Sequence, residues 1–160
     1  VVVSSFSKNF GLYRERVGAM TLICDSDESA KVATTVVAAA ARAMYSMPPD
    51  HGAAIVQLIL NDADLRKEWD AELTEMRNRI NGLRAQLVTQ IQSAGIDSDF
   101  SFIEREKGMF SFLGVNVDQV QSLVNDYSIY LVNSSRINVA GVNDGNIAYL
   151  ADSLATVLKA

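Results

Sequence analysis

An apolar stripe in the middle of the chain limits the folds that are open to it. Apolar side chains recur there at steps of three or four residues, which is the spacing of one face of an α-helix. The stripe consists of Leu65, Trp69, Leu73, Met76, Ile80, Leu83, Leu87 and Ile91. A charged, solvent-facing side is predicted opposite it, formed by Glu68, Asp70, Glu72, Glu75, Arg77, Arg79 and Arg84. The pattern predicts one helix of about eight turns over residues 62–94, begun by an Asn61-Asp62 cap.

A stripe of this kind is also typical of a coiled coil, which would make the chain a non-catalytic helical interaction module. The stripe extends over little more than three heptads and ends at Gly95. The residues alone leave this alternative open.

Shorter elements precede the long helix. Apolar runs predict two buried strands, over residues 1–3 and 19–24. An alanine-rich helix is predicted from about Ser29 to Met44, and Pro48-Pro49 prevents it from continuing. A short apolar helix is predicted over residues 52–60.

Strands and helices alternate after the long helix. Residues 99–103 and 109–113 alternate between apolar and polar with period two, and the charged residues 104–108 between them predict a hairpin turn. The next predicted elements are a helix capped by Asn116, a strand over 129–132, a connection between strands that contains Arg136, and a last helix that starts at Asn143. These elements predict a small α+β lobe.

Charge and composition exclude several classes of partner. The formal net charge is −5 at pH 7 and no basic cluster is present, which argues against nucleic acid. No apolar run is long enough to span a bilayer. The single cysteine, Cys24, cannot form an intrachain disulfide and fits a reduced, cytoplasmic setting. We expect neither a membrane partner nor a metal site.

A segment near the start of the chain has the groups expected of a cofactor site. Lys8 follows the first predicted strand, where burial would favour the neutral, nucleophilic amine that forms imines with aldehydes. Ser5, Ser7 and Arg16 lie in the same segment, and two hydroxyls with a guanidinium can bind a dianionic phosphate. This combination suits pyridoxal 5′-phosphate.

Four segments together resemble a known family. Residues 5–18 have the sequence Ser-Phe-Ser-Lys-Asn-Phe-Gly-Leu-Tyr-Arg-Glu-Arg-Val-Gly. This sequence resembles the cofactor-lysine segment of the aspartate and aromatic amino acid aminotransferases, which are pyridoxal-phosphate enzymes of fold type I. Residues 42–49, 108–112 and 135–141 also resemble that family, in its order and at its spacings. Four motifs in register are a far more specific signal than a bare Ser-x-Ser-Lys.

The resemblance implies an α/β fold. Residues 1–75 would be the C-terminal part of the large domain of a fold type I pyridoxal-phosphate transferase, and residues 76–160 a small α+β C-terminal domain joined to it by the long helix. The chain lacks a starting methionine and corresponds only to the C-terminal part of these enzymes, so we expect a fragment of a longer polypeptide. In the family, the aspartate that pairs with the pyridine nitrogen lies upstream of Val1. The isolated segment is therefore expected to be inactive.

The resemblance also implies an activity. The enzyme would be a transferase of amino-acid metabolism that exchanges an amino group between an amino acid, aspartate or glutamate, and a 2-oxo acid by a ping-pong mechanism. An aromatic amino acid aminotransferase of dual specificity is the alternative. In the family, Lys8 would hold pyridoxal 5′-phosphate as an imine and act as general base, and Ser5, Ser7 and Arg16 would bind the cofactor.

The resemblance implies substrate-binding residues as well. Arg136 would bind the substrate α-carboxylate, and Phe110 would line the pocket. Arg42 would reach into the neighbouring active site of a homodimer and pair with the distal carboxylate, with Ser46 near that contact. The family commonly has glycine where this chain has Ser135, and serine avoids positive φ.

Overall fold

The computed structural model describes residues 1–159, which form two compact units along the chain. The first unit is Val1–Leu73, and the second begins at Thr74. The boundary falls inside one long helix. Within the described residues, no helix combines the length and the apolar character that crossing a membrane requires.

The first unit begins with a two-stranded antiparallel ribbon. Strand β1 (Val2–Ser5) pairs with strand β2 (Gly18–Thr21). The prediction that both strands are buried is wrong, because Val1 and Val3 are 82% and 73% exposed and β2 is exposed throughout. Among the described residues this sheet has no third strand, and a two-stranded ribbon covers little of its own surface.

Helices α1 (Asp27–Tyr45) and α2 (His51–Asn61) follow, close to their predicted bounds. The Ser26 hydroxyl begins α1 by accepting a hydrogen bond from the backbone N–H of Ser29. Ser46 ends the helix with a φ of 65°. Within the described chain, α1 contains no buried residue, so its many alanines do not pack into a core.

Helix α3 (Ala63–Ser93) confirms the predicted long helix. The Asp62 carboxylate caps it by accepting hydrogen bonds from the N–H groups of Asp64 and Leu65, both at 3.0 Å. The chain leaves the helix through Gly95, whose φ is 72°.

The apolar stripe on α3 is buried only in its second half. Leu83, Leu87 and Ile91 are at most 6% exposed, whereas Met76 is 46% exposed. The prediction of a solvent-facing charged side is wrong for Arg84, which is completely buried because backbone carbonyls converge on its guanidinium.

The second unit continues after α3 with short elements around one small sheet. They are α4 (Phe102–Arg105), β3 (Phe110–Phe112), α5 (Val117–Tyr127), β4 (Arg136–Asn138), a single 3₁₀ turn (Val139–Gly141) and α6 (Ile147–Lys159). Strand β3 pairs antiparallel with β4, with Phe110 opposite Asn138, Ser111 opposite Ile137 and Phe112 opposite Arg136. The central pair faces inward, and the four outer residues are exposed.

The predicted hairpin over residues 99–113 is wrong. Residues 102–105 form a helical turn, and the partner of β3 is β4 instead. The Asp99 carboxylate accepts a hydrogen bond from the backbone N–H of Ser101 at 2.8 Å, which turns the chain before α4. The Ser101 side-chain and backbone hydrogen bonds also lower the pKa of Asp99. Five residues of alternating pattern were too few to distinguish a strand from a turn.

Three further boundaries differ from the predictions. Residues 129–132 are not a strand, and Arg136 is the first residue of β4 instead of lying in a connection. Helix α6 begins at Ile147 rather than Asn143, because residues 143–146 form a turn in which the Asn143 N–H donates to the Asn146 side chain.

The second unit has a continuous apolar core. Helices α5 and α6 pack against each other. Six apolar residues of this core have no solvent exposure: Leu87, Ile103, Val120, Leu123, Val139 and Leu154. The predicted cap of α5 is confirmed, since the Asn116 side chain accepts from the Gln119 N–H and the Gln119 side chain accepts from the Asn116 N–H.

Candidate functional site

The predicted cofactor lysine lies in the loop that joins β1 to β2. The Phe6 N–H donates to the Val17 carbonyl at 3.1 Å, so the ladder extends by one bond into the loop. The Phe6 carbonyl in turn accepts hydrogen bonds from the N–H groups of Phe10 and Leu12. These bonds close residues 6–17 into a compact loop, which is called the lysine loop below.

The two predicted phosphate-binding hydroxyls lie side by side. The Ser5 hydroxyl donates to the Ser7 hydroxyl at 3.1 Å, and the Ser7 N–H donates to the Ser5 hydroxyl at 3.3 Å. Ser7 is buried, whereas Ser5 is exposed at the end of β1. Two hydroxyls and a backbone N–H at one place are suited to bind phosphate oxygens.

Arg16 lies at the other end of the lysine loop. Its φ is 52°, and its guanidinium donates to the Tyr13 carbonyl at 3.0 Å. The other N–H groups of the guanidinium remain available for an anion. The structure thus places Arg16 in the same loop as Ser7 and fixes its backbone by a local turn.

Lys8 is exposed, with its amine 4.2 Å from the centroid of the Tyr13 ring. The burial expected beside a buried strand is absent among the described residues, because β1 itself is exposed. The prediction that the Lys8 amine is desolvated by burial beside this strand is therefore wrong. The amine is accessible to react with a carbonyl group.

An aromatic cluster of Phe6, Phe10 and Trp69 fixes the lysine loop, although the sequence predicted for Trp69 only a place in the apolar stripe. The Trp69 ring stacks on the Phe10 ring with centroids 4.6 Å apart, and its indole N–H donates to the Asn9 carbonyl at 2.7 Å. The Phe6 ring contacts Phe10 edge to face at 5.3 Å. Helix α3 therefore contacts the residue that follows Lys8, a role that only the size and the N–H donor of tryptophan could have indicated.

The end of the lysine loop also contacts α2. The His51 imidazole lies 3.1 Å from the Glu15 carboxylate. Gly52 allows the helix to approach, because a Cβ there would lie 2.7 Å from the Glu15 side chain and 3.1 Å from that of Val17. These contacts hold the C-terminal end of the lysine loop against α2.

Arg42 and Ser46 share the C-terminal end of α1. The Ser46 N–H donates to the Arg42 carbonyl at 3.1 Å, and both residues are exposed. The two predicted contacts for a distal carboxylate therefore lie one helical turn apart at one helix end.

The second unit brings the other two predicted substrate residues together. The Arg136 guanidinium lies 4.7 Å from the centroid of the Phe110 ring, a cation–π distance. Both residues line a cavity of about 700 Å³. Five further polar residues, none of them predicted as a site residue from the sequence, also line it: Ser128, Tyr130, Asn138, Asn146 and Tyr149.

Ser135 adopts a conformation that serine ordinarily avoids. Its φ is 63°, in the left-handed region that favours glycine, and the residue is buried. Its hydroxyl accepts a hydrogen bond from the Gly114 N–H at 3.1 Å, and its carbonyl accepts one from the Leu113 N–H at 3.0 Å. These bonds offset the backbone strain and fix the residue before Arg136.

Comparison with known proteins places this geometry in a family. The family model for aminotransferase class I and II matches residues 1–154. The chain is 51% identical over 158 residues to an aspartate aminotransferase of Haemophilus influenzae, and 47% identical over 158 residues to one of Escherichia coli. Each alignment covers 99% of this chain but 40% of the relative, so the chain spans about two fifths of the length of these curated relatives.

Solved structures give the same result. The aromatic-amino-acid aminotransferase from Burkholderia pseudomallei covalently bound to pyridoxal phosphate has a TM-score of 0.89 at 45% identity, covering 98% of this chain and 39% of that chain. A psychrophilic aromatic amino acid aminotransferase from Psychrobacter sp. B6, cocrystallised with aspartic acid, has a TM-score of 0.91 at 36% identity, covering 99% and 40%. The chain belongs to the aminotransferase class I and II family.

Proposed function

We propose that this chain is the C-terminal part of a pyridoxal-phosphate-dependent aminotransferase that exchanges an amino group between an amino acid and a 2-oxo acid. The observation that carries the proposal is the lysine loop, in which the exposed Lys8 directly follows the hydrogen-bonded pair Ser5 and Ser7 in a chain of this family. A solved relative at 45% identity is covalently bound to pyridoxal phosphate, which supports the same cofactor here.

The residues of the lysine loop fit this cofactor. Ser5, Ser7 and Arg16 offer two hydroxyls and a guanidinium with free donors, which is the donor set that a dianionic phosphate requires. Lys8 offers the primary amine that reacts with the cofactor's aldehyde. When bound, the cofactor supplies an electron sink that stabilises negative charge at the substrate α-carbon.

The chain's own residues supply proton transfer and carboxylate binding. With pyridoxal phosphate bound and its link to Lys8 released by the substrate amine, the Lys8 amine would be the general base that accepts the proton from the substrate α-carbon. Arg136 binds the substrate α-carboxylate with two parallel N–H donors, a geometry that lysine cannot reproduce. The Phe110 ring restricts the guanidinium to one orientation.

The proposed substrates are aspartate and glutamate. The relatives at 51% and 47% identity are aspartate aminotransferases. Arg42 is exposed at the end of α1 with Ser46 nearby, which leaves its guanidinium available to a distal carboxylate in the neighbouring subunit of a homodimer. This arrangement requires a homodimer in which the end of α1 reaches the partner's site, and we propose a cytoplasmic location for that dimer.

An aromatic aminotransferase of dual specificity is the second candidate. Two of the similar solved structures are aromatic aminotransferases, and one of them was cocrystallised with aspartic acid. The ratio of kcat/KM for aspartate over phenylalanine in the whole enzyme separates the two candidates.

The proposal includes the domain organisation. Residues 1–75 are the end of the large cofactor domain of fold type I, and residues 76–160 are the small domain, with α3 as the helix between domains. An interaction module built on the α3 stripe is less favoured, because Leu83, Leu87 and Ile91 already pack in the core of the second unit.

Borohydride reduction of the whole enzyme tests the function directly. The parent protein should transaminate aspartate, and peptide mapping after reduction should find the pyridoxyl label on Lys8. A label on Lys31, Lys67, Lys107 or Lys159 would contradict the assignment of Lys8, and the absence of any label would contradict the proposed cofactor.

A further inference from the structure

A buried arginine on α3 donates hydrogen bonds to three backbone carbonyls in the segment that leads into β3. Arg84 has no solvent exposure. Its guanidinium donates to the carbonyls of Ile103, Gly108 and Phe110 at 2.8, 2.8 and 2.7 Å. All three distances are those of strong charge-assisted hydrogen bonds. Arg84 therefore fixes the path of the chain from α4 to the first residue of β3.

A counter-ion accompanies the buried cation. The Glu106 carboxylate lies 3.3 Å from the Arg84 guanidinium, and the Ser111 hydroxyl donates to the same carboxylate oxygen. A buried charge is tolerated only when it is paired and hydrogen-bonded, and this one meets both conditions. The network is thus built around a planar fork of donors, and a single ammonium cannot reach carbonyls spread over residues 103–110.

The hydrogen-bond network around Arg84 reaches the candidate substrate site through Phe110. Phe110 contributes its carbonyl to Arg84 and its ring to the Arg136 guanidinium, 4.7 Å away. The β3–β4 ladder joins the same two strands, with Phe112 opposite Arg136. A shift of the Phe110 backbone would therefore move the ring that orients the Arg136 guanidinium.

We propose that Arg84 is a positioning residue that sets the orientation of Arg136 toward the substrate carboxylate through Phe110. The inference rests on the proposed function and extends it, since Arg84 itself touches neither substrate nor cofactor. Arg84, on the buried face of α3, would thus help to set the affinity of the site for the substrate carboxylate.

Arg84→Lys in the whole enzyme tests the proposal. The variant keeps the buried charge but loses the fork, so the KM for the amino acid should rise about tenfold, because a less well oriented Arg136 binds the substrate carboxylate more weakly in ground state and transition state alike. The kcat and the visible absorbance of the bound cofactor should change little. The matched control is Arg77→Lys, an exposed arginine of the same helix that bonds only to Thr74, and it should keep the parent KM. An unchanged KM in a folded Arg84→Lys enzyme overturns the proposal.

A double-mutant cycle tests the route through Phe110. In a Phe110→Leu background the ring is absent, so Arg84→Lys should raise KM less than about twofold. An equal KM increase in both backgrounds shows that Arg84 acts elsewhere and overturns the proposed route. If Arg84→Lys does not fold, Glu106→Gln is measured in the same two backgrounds, since it weakens the network from its exposed side. A Glu106→Gln enzyme with parent KM then overturns the proposal.

The proposed function and the positioning role of Arg84 can be contradicted separately. A parent enzyme without aminotransferase activity contradicts the proposed function before any variant is made. A parent enzyme that transaminates while the Arg84 variants keep its KM contradicts only the positioning role.

Discussion

The indole N–H of Trp69 donates a hydrogen bond to the carbonyl of Asn9, the residue that follows Lys8, at 2.7 Å. The Trp69 ring also stacks on Phe10 at 4.6 Å. One side chain of α3 thus fixes the backbone on the C-terminal side of the candidate catalytic amine by two independent contacts. The other side of Lys8 is fixed by the hydrogen bonds between Ser5 and Ser7.

We expect Trp69→Phe to keep the ring contact and lose the donor. The free energy of unfolding of the whole enzyme should fall by about 1 kcal/mol, since the Asn9 carbonyl loses its hydrogen bond. The kcat should fall as the lysine loop loosens. Urea unfolding followed by circular dichroism and steady-state kinetics measure the two effects. Leu65→Ala, on the exposed first half of the stripe, is the control and should alter kcat little; an equal effect of both variants on kcat would refute a specific role for Trp69.

We expect Lys8→Ala to abolish turnover of the whole enzyme while pyridoxal phosphate stays bound without a covalent link. The phosphate contacts of Ser5, Ser7 and Arg16 do not need the amine, whereas proton transfer does. General acid–base catalysis alone accounts for roughly 10²- to 10⁴-fold in rate. Activity assays and the cofactor content after gel filtration check both parts. Lys31→Ala, on the exposed surface of α1, should behave as the parent; a Lys8→Ala enzyme with more than a few per cent of parent activity contradicts the assignment.

We expect Arg42→Ala to lower kcat/KM selectively for dicarboxylic substrates. Loss of a buried charge-assisted contact costs roughly 2–5 kcal/mol, or about 30- to 4,000-fold. Aspartate and glutamate should show this loss. Phenylalanine and tyrosine have no distal carboxylate, so they should lose little or even gain. Steady-state kinetics with the four amino acids provide the measurement.

Mixed dimers test whether Arg42 acts across the subunit interface. A dimer of one Arg42→Ala and one Lys8→Ala subunit should contain one site that lacks both residues and one that retains both. Some aspartate activity should therefore return. Equal losses for acidic and aromatic substrates, with no recovery in verified mixed dimers, would mean that Arg42 only stabilises the end of α1.

We expect Ser135→Ala to destabilise the whole enzyme more than Ser135→Gly. Both variants leave the Gly114 N–H without its hydroxyl acceptor, at about 1 kcal/mol. Glycine also relieves the positive φ of 63°, which costs an L-residue about 1–2 kcal/mol. Urea unfolding should place glycine level with the parent or slightly above it and alanine about 1 kcal/mol below the parent, with exposed Ser134→Ala near the parent. Equal losses for alanine and glycine would show that the conformation at residue 135 is unstrained.

Local patterns predicted the helices and their caps well. Asp62 and Asn116 cap α3 and α5 as their sequence positions indicate, because a cap depends on residues within one turn. These features are local, so the sequence contains all that determines them.

Features that depend on distant residues could not be predicted from the local pattern. Arg84 was assigned to the charged face opposite the apolar stripe, yet carbonyls up to 26 residues away surround it. The partner of β3 is likewise more than 20 residues further along the chain, so the nearest alternating stretch was mistaken for it. Val1 and Val3 were predicted to be buried from their apolar run alone, but the two-stranded ribbon that contains this run covers little of its own surface.

The register of the three-residue ladder of β3 and β4 is fixed by which of its side chains face the core. Ser111 and Ile137 face inward while Phe110 and Arg136 face outward. A slip by one residue would turn Arg136 into the apolar core, where an unpaired guanidinium costs several kcal/mol. The slipped register is therefore disfavoured, because it would remove from water the same guanidinium that is proposed to bind substrate. The strand alignment that is favoured in folding is therefore also the alignment that exposes Arg136 for substrate binding.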